Sequence, residues 1–364
     1  MKNSFGNSIS VTLFGESHGE AIGAVIDGIA PGIEIDHEYI RARLIERAPV
    51  GRISTGRCEA DDYEILSGVF MGFTTGTPIA IVIRNTNTKS RDYEALRNTP
   101  RPSHADLTAE EKYHGYQDYR GGGHFSGRIT AALVAAGSII RLALLKKGIA
   151  IGTHISSLHG VSDRAFCKLD DDVKALSALP FPVLDGERAE EMRAEILKAR
   201  EMGDSVGGVL ETAVIGMPAG VGEPWFDTLE GVISHAVFSV PGVKGVEFGA
   251  GFGITELYGS EANDPFVTDG KTVKTSTNNS GGIQGGISNG MPIILRTAIK
   301  PTPSIFKPQG SVSLKDMENL TLNIEGRHDP AIIHRARAVI DAVVAIAVAD
   351  MLAMRFGTDW LAEK

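Results

Sequence analysis

The 364-residue chain carries only two cysteines, Cys58 and Cys167. Two thiols cannot build a disulfide framework, and such sparse use fits a reducing compartment. No G-x-x-x-x-G-K-[ST] phosphate loop and no G-x-G-x-x-G dinucleotide turn occurs, so a nucleoside triphosphate or nicotinamide site has no sequence support. H-E-x-x-H and paired C-x-x-C motifs are also missing, and no metal is expected. The start of the chain, Met1-Lys2-Asn3-Ser4-Phe5-Gly6, lacks the long apolar core of a signal peptide. No stretch reads as apolar enough to span a bilayer. The best candidate, Val339 to Met354, is interrupted by Asp341 and Asp350. A cytoplasmic location is the expectation. Positive charge is short as well: 36 Lys and Arg face 45 Asp and Glu, a formal net charge of −9. Such a chain gains no long-range attraction to nucleic acid or to an anionic membrane, and neither is expected as a partner.

What is abundant is glycine, 43 residues without a fixed period, against a usual share of about 7%. Most of these read as turns in a sheet-rich fold. Several arginines sit in the glycine-rich loops: Arg47, Arg52, Arg57, Arg101, Arg120, Arg128 and Arg327. Local positive charge on a negative body suits a small anionic ligand in a pocket. The alternation of Ile9, Val11 and Leu13 predicts a strand over Ser8 to Phe14. Further strands are expected over Ala21 to Asp27 and Ile79 to Arg84. Helices are expected over Asp36 to Glu46, Ile129 to Lys147, Glu187 to Met202 and Pro330 to Met354. Ala24-Val25-Ile26 with Pro31-Gly32 echoes Ala213-Val214-Ile215 with Pro218-Ala219-Gly220. Ser67-Gly68 with Gly76-Thr77-Pro78-Ile79 echoes Ser280-Gly281 with Gly290-Met291-Pro292-Ile293 in the same order. The echo suggests two similar halves with a pseudo-two-fold relation. With no Pro/Ser linker to divide it, the chain reads as a single α+β domain over 1–364.

Five segments carry candidate chemistry. Gly15-Glu16-Ser17-His18-Gly19 formally matches the G-x-S-x-G nucleophile elbow of a serine hydrolase, but a strand-like segment follows it where that motif needs a helix. A turn that exposes Ser17 and His18 is the better reading. In Arg101-Pro102-Ser103-His104-Ala105-Asp106, Asp106 is placed to orient the imidazole and Arg101 to bind an anion; the alternative is a helix-capping turn. Asp118-Tyr119-Arg120-Gly121-Gly122-Gly123-His124-Phe125-Ser126-Gly127-Arg128 runs into a helix, a backbone nest for phosphate or carboxylate bracketed by Arg120 and Arg128. Lys300-Pro301-Thr302-Pro303-Ser304 reads as a Pro-rich turn. Gly326-Arg327-His328-Asp329-Pro330 reads as an Asp cap with Pro opening the last helix.

Together and in this order, these segments resemble the chorismate synthase family from Ser10 to about Ala342, with GGIQGGISNG as a further matching string. The resemblance implies a homotetramer of β–α–β sandwich subunits, in which antiparallel sheets are flanked by helices. It implies a lyase that converts 5-enolpyruvylshikimate 3-phosphate to chorismate and phosphate by 1,4-anti elimination, with reduced FMN and no net redox change. Arg47, Arg52, Arg101, Arg128 and Arg335 would hold the substrate, each charge-assisted bond contributing about 1.5–3 kcal/mol. His18 would protonate the departing phosphate or stabilise its charge. His104 would govern protonation at the flavin pyrimidine ring. Asp329 with Ser17 would relay a proton from flavin N5. FMN would be held by His124, Phe125, Ser126, Gly285, Lys300, Pro301, Thr302, Pro303, Ser304 and Arg327. Three places depart from the usual family strings. Phe125 removes a hydroxyl from the glycine loop, where Ile129 also replaces a carboxylate. Arg47-Ala48-Pro49-Val50-Gly51 is one residue short, and Pro241-Gly242 follows Val240. No nicotinamide site or extra domain is read, so an external flavin reductant is the expectation.

Overall fold

The structure is a computed structural model that describes residues 2–49, 51–55, 59–86, 97–324 and 328–362. Arg327 with Gly326, Arg57 and Cys58 therefore lie outside the described residues.

Two five-stranded sheets, each fully antiparallel, form the outer layers. The first contains β1 (Ser4–Phe5), β2 (Ser10–Gly15), β3 (Ala21–Asp27), β4 (Tyr63–Ile65) and β5 (Ile79–Arg84), in the order β1-β2-β3-β5-β4. The second contains β6 (Ala150–Leu158), β7 (Val161–Ser162), β8 (Gly208–Ile215), β9 (Val243–Phe248) and β10 (Ile293–Ile299), in the order β9-β10-β8-β6-β7. Side-chain alternation explains which face is buried. In β5, Ile79, Ile81 and Ile83 are buried while Ala80 and Val82 are only partly covered. In β10, Ile293, Leu295, Thr297 and Ile299 are buried in the same way.

Three helices fill the space between: α1 (His37–Arg47), α2 (Thr130–Lys146) and α3 (Ile333–Phe356). α2 packs on β3 and β5 of one sheet and on β6 of the other, and α3 packs on β2, β6 and β8. α3 is buried on every face from Ala336 through Ala353, as its apolar run requires. Its two acids are both occupied. Asp341 accepts from Thr153 Oγ1 at 2.6 Å, and Asp350 accepts the backbone N–H groups of Asn7, Ser8 and Ile9 at 2.9, 2.7 and 2.9 Å. One expectation needs correction. By length and composition, Gly127–Lys146 is long and apolar enough to cross a membrane. That apolar window is 83% buried inside the fold, so the sheets already cover it.

The segments that echo one another in sequence lie on neighbouring strands in each half, with pairings one residue out of step. Ile26 of β3 pairs with Ile79 of β5, and Val214 of β8 pairs with Ile293 of β10. Asp36 caps α1 by accepting from Tyr39 N at 2.9 Å, so the helix begins one residue later than its sequence pattern. α3 begins at Ile333 rather than Pro330 and has no side-chain cap, because its N-cap residue is the apolar Ile332; Asp329, three residues earlier, accepts from Thr55 and Arg335 instead.

Candidate active site

The glycine run Gly121-Gly122-Gly123 brings the two sequence-distant histidines together. All three residues have positive φ, at 62°, 82° and 53°, which L side chains rarely adopt. A Cβ added at Gly121 would lie 2.5 Å from His18 Nε2 and 3.0 Å from Ser17 Oγ. One added at Gly122 would lie 3.4 Å from His104 Cε1. His18 and His104 therefore contact consecutive residues of one backbone turn, which only glycine allows to pass so closely.

His18 follows β2 in a strand-turn-strand connection, and both Ser17 and His18 are buried. The turn is pinned by Ser17 N donating to Gly123 O at 3.0 Å. Ser17 Oγ is fully buried without a hydrogen-bond partner among the described residues. β3 follows the turn where a nucleophile elbow needs a helix, so the serine-hydrolase alternative lacks its geometry.

His104 is held from behind. Its Nδ1 lies 2.6 Å from Asp106 Oδ1, and Arg101 grips the same carboxylate through Nε and Nη2 at 2.8 Å each. Burial pushes the Asp106 carboxyl up, but the Arg101 fork and His104 outweigh it and hold it well below the usual carboxylate range. The ionised carboxylate fixes Nδ1, and Nε2 is the ring nitrogen left for chemistry.

Beside the glycine turn is a cavity of about 830 Å³, toward the upper end of the usual 300–1,000 Å³ for ligand pockets. His104, His124, Phe125, Ser126 and Lys300 to Ser304 line it. Its charged lining residues are Arg47, Lys244, Lys300 and Arg335, against Asp329 as the one carboxylate among the described residues. An excess of fixed cations inside a chain of net charge −9 marks a site for anions.

Against this geometry, a family model described as chorismate synthase matches residues 9–353. The chain belongs to the chorismate synthase family. It is 48% identical over 351 residues to the chorismate synthase of Thermococcus gammatolerans, covering 96% of this chain and 97% of that one. It is 46% identical over 358 residues to that of Dehalococcoides mccartyi, covering 98% of each. A crystal structure of chorismate synthase superposes with a TM-score of 0.76 at 30% identity, covering 97% of this chain and 94% of the other.

The arginines that family resemblance assigns to substrate are not equivalent here. Arg47 lines the cavity. Its Nε donates to Thr130 Oγ1, its Nη1 to Asp61 Oδ2 and its Nη2 to Gly127 O, each at 2.9 Å. Three of its five N–H donors are thus used and two are left for a ligand. Burial pulls this guanidinium down to about 10, so it stays charged near neutral pH. Arg335 also lines the cavity and donates to Asp329 Oδ2. Arg128 lies outside the lining, with its donors on Asn85 Oδ1, Asp61 Oδ1, Arg84 O and Glu59. Arg101 is taken up by Asp106, and Arg120 is likewise forked onto Asp118 at 2.8 Å. Arg120 keeps its Nη1 donors off Asp118, whereas Nε, Nη1 and Nη2 of Arg128 each have a protein acceptor. Arg52 sits in a short helical turn outside the cavity lining, where its carbonyl accepts from Arg200. Gly285 turns the small hairpin Ile283–Ser288 and is also outside the lining.

Asp329 accepts from Thr55 N at 2.9 Å as well as from Arg335. It makes no hydrogen bond to Ser17, whose hydroxyl has no partner among the described residues. Asp61 was not expected. It is buried, sits at φ 52°, and serves as shared counter-ion to Arg47 and Arg128. No local pattern marks it, since its partners lie 14 and 67 residues away.

His334, next to Arg335 on α3, is held neutral. Burial first, then the charges of Arg335, Arg193 and Arg337, lower it to about 3, while its Nε2 keeps a 2.8 Å contact with Ser54 Oγ. An unfolded histidine takes up its proton near pH 6.5, roughly. The stability this group contributes is therefore full above that pH and is lost as the pH falls from there toward 3. Within that window the wild type should lose about 1.4 kcal/mol per pH unit relative to His334→Gln. Urea unfolding of both proteins at pH 7, 6 and 5 checks this, and parallel curves would contradict it.

Proposed function

We propose that this protein is a lyase that converts 5-enolpyruvylshikimate 3-phosphate to chorismate and phosphate by 1,4-anti elimination, with reduced FMN as cofactor. The observation that carries the reading is the cation-lined cavity of about 830 Å³, with His104 on its wall and His18 behind the same glycine turn. The substrate bears two carboxylates and a phosphate, which match guanidinium and ammonium donors.

The residues fit a flavin mononucleotide. Thr302 Oγ1 is buried without a hydrogen-bond partner among the described residues, a donor still waiting for an acceptor on the stretch Lys300 to Ser304. Phe125 lines the cavity beside His124 and Ser126 and offers an apolar face where a hydroxyl is usual. Lys300 to Ser304, His124 to Ser126 and the rim from Val240 to Gly242 would hold the cofactor. When bound, reduced FMN supplies electron density as phosphate leaves and recovers it afterwards, so no net oxidation occurs.

The chain's own groups do the rest. Arg47 and Arg335 bind and orient the anionic substrate. His18 meets the developing charge of the departing phosphate. His104, with Nδ1 fixed by Asp106, holds or releases a proton at Nε2. Asp329, kept in place by Arg335 and Thr55, is the carboxylate at hand for the ring proton. The comparable pairing of β3 with β5 and of β8 with β10 supports reading the chain as two related halves. Exposed Trp225, Phe226, Phe252 and Tyr258 support assembly into a homotetramer.

The test is an anaerobic assay with 5-enolpyruvylshikimate 3-phosphate and dithionite-reduced FMN. Chorismate and phosphate should appear in equal amounts, and only when the flavin is reduced. Formation of neither product would overturn the reading.

A further inference from the structure

Three contacts close a ring behind Asp329. Thr55 N donates to Asp329 Oδ1 at 2.9 Å, and Arg335 Nη2 donates to Asp329 Oδ2 at 2.5 Å. Ser54 Oγ and His334 Nε2 lie 2.8 Å apart and complete the circuit, since Ser54 precedes Thr55 and His334 precedes Arg335. The first two contacts each fix one oxygen of the carboxylate. The third touches neither oxygen. It fastens the segment that carries the Thr55 donor to the first turn of α3, which carries Arg335. That turn has two faces. Ile332, Arg335 and Ala336 line the cavity, whereas His334 is buried outside the lining, as is Ser54.

Packing alone does not explain a histidine at 334. The ring stacks on Phe181 with centroids 6.1 Å apart, a contact that a phenyl ring would make as well. Its Nδ1 is buried with no hydrogen-bond partner among the described residues, an unfavourable feature that phenylalanine would not have. What the imidazole adds is its bond to Ser54.

We infer that His334 and Ser54 are a positioning pair, whose bond keeps Thr55 N on Asp329 and so aims the carboxylate placed for the ring proton. The inference rests on the functional reading above, which gives Asp329 that role.

The experiment compares the full-length wild type with His334→Phe, Ser54→Ala, the double variant and His334→Gln, whose amide has the reach of Nε2. Hydrogen exchange of the Thr55 amide is followed by mass spectrometry in the ligand-free protein. The urea midpoint, kcat and KM are measured beside it, the last two with reduced FMN. In both single variants and in the double variant, the Thr55 amide should exchange about tenfold faster and kcat should fall about tenfold, the scale of one hydrogen bond. KM should stay unchanged. The double variant should be no worse than either single one, because all three lack the same bond. Its urea midpoint should equal or exceed that of the wild type, since both partners have become apolar together. His334→Gln should restore most of kcat and the slow exchange. Ser54→Ala removes a single oxygen and reads the same quantities should the ring variant not fold.

Additive losses in the double variant, a kcat loss that follows a lowered urea midpoint, or wild-type exchange at Thr55 would overturn the pairing. Wild-type protein without turnover would overturn the functional reading, and the positioning role with it. Turnover that the wild type and the variants share equally would overturn the positioning role alone.

Discussion

His104→Ala should lower kcat by about 10²–10⁴-fold, the usual weight of a positioned acid or base. The imidazole sits at the cavity wall with Nδ1 fixed by Asp106 at 2.6 Å, and Asp106 is itself locked by the Arg101 fork. Removing the ring removes the group that holds a proton at Nε2, yet touches no core contact, because His104 is only partly buried on a loop. The fold should persist, with an unfolding midpoint near that of the wild type. Asp106→Asn should lower kcat less, since it leaves the imidazole in place but releases its orientation. Steady-state turnover with reduced FMN checks both variants. Unchanged turnover in His104→Ala would remove this residue from the chemistry.

Asp350→Ala should destabilise the protein by about 3 kcal/mol or more, because three backbone donors lose one shared acceptor, at roughly 1–3 kcal/mol each when buried. Asp350 is completely buried within α3 and accepts from Asn7, Ser8 and Ile9. Asn7 and Ser8 are partly exposed and regain water, whereas Ile9 N is buried and does not. Asp350→Asn keeps one acceptor oxygen of nearly the same shape and should lose roughly half as much. Urea unfolding of the three proteins gives the comparison. A loss below about 1 kcal/mol for alanine would mean that the N-terminal segment finds other partners.

Much of the fold was legible because its signals are local. The alternation of Ile9, Val11 and Leu13 and the boundaries of β3 and β5 survive in the structure with little change. Helix ends were less legible. Asp329 has the right type for a cap, but the N-cap residue is the apolar Ile332, and Asp329 accepts from Arg335 and Thr55 instead. Within the site, His104 and Asp106 were readable as a pair because donor and acceptor lie two positions apart in one motif. Arg101 and Arg128 show what residue type leaves out. Each is an arginine in the expected motif, and each is also an ion-pair partner of one of the protein's own acids, Asp106 and Asp61. Asp61 was invisible for a different reason. It acts through a positive-φ turn, which leaves no mark in the order of residues.

The bond from Ile9 to Asp350 spans 341 residues. A ribosome making this chain from its first residue releases the β2 strand long before the helix that anchors it. The opening strands can pack on α2 once Lys146 has been made, but their seam with α3 must wait until Asp350 has followed. Closure of the first sheet onto α3 belongs to the end of folding, and a nascent chain stalled short of Asp350 should remain sensitive to protease at its beginning.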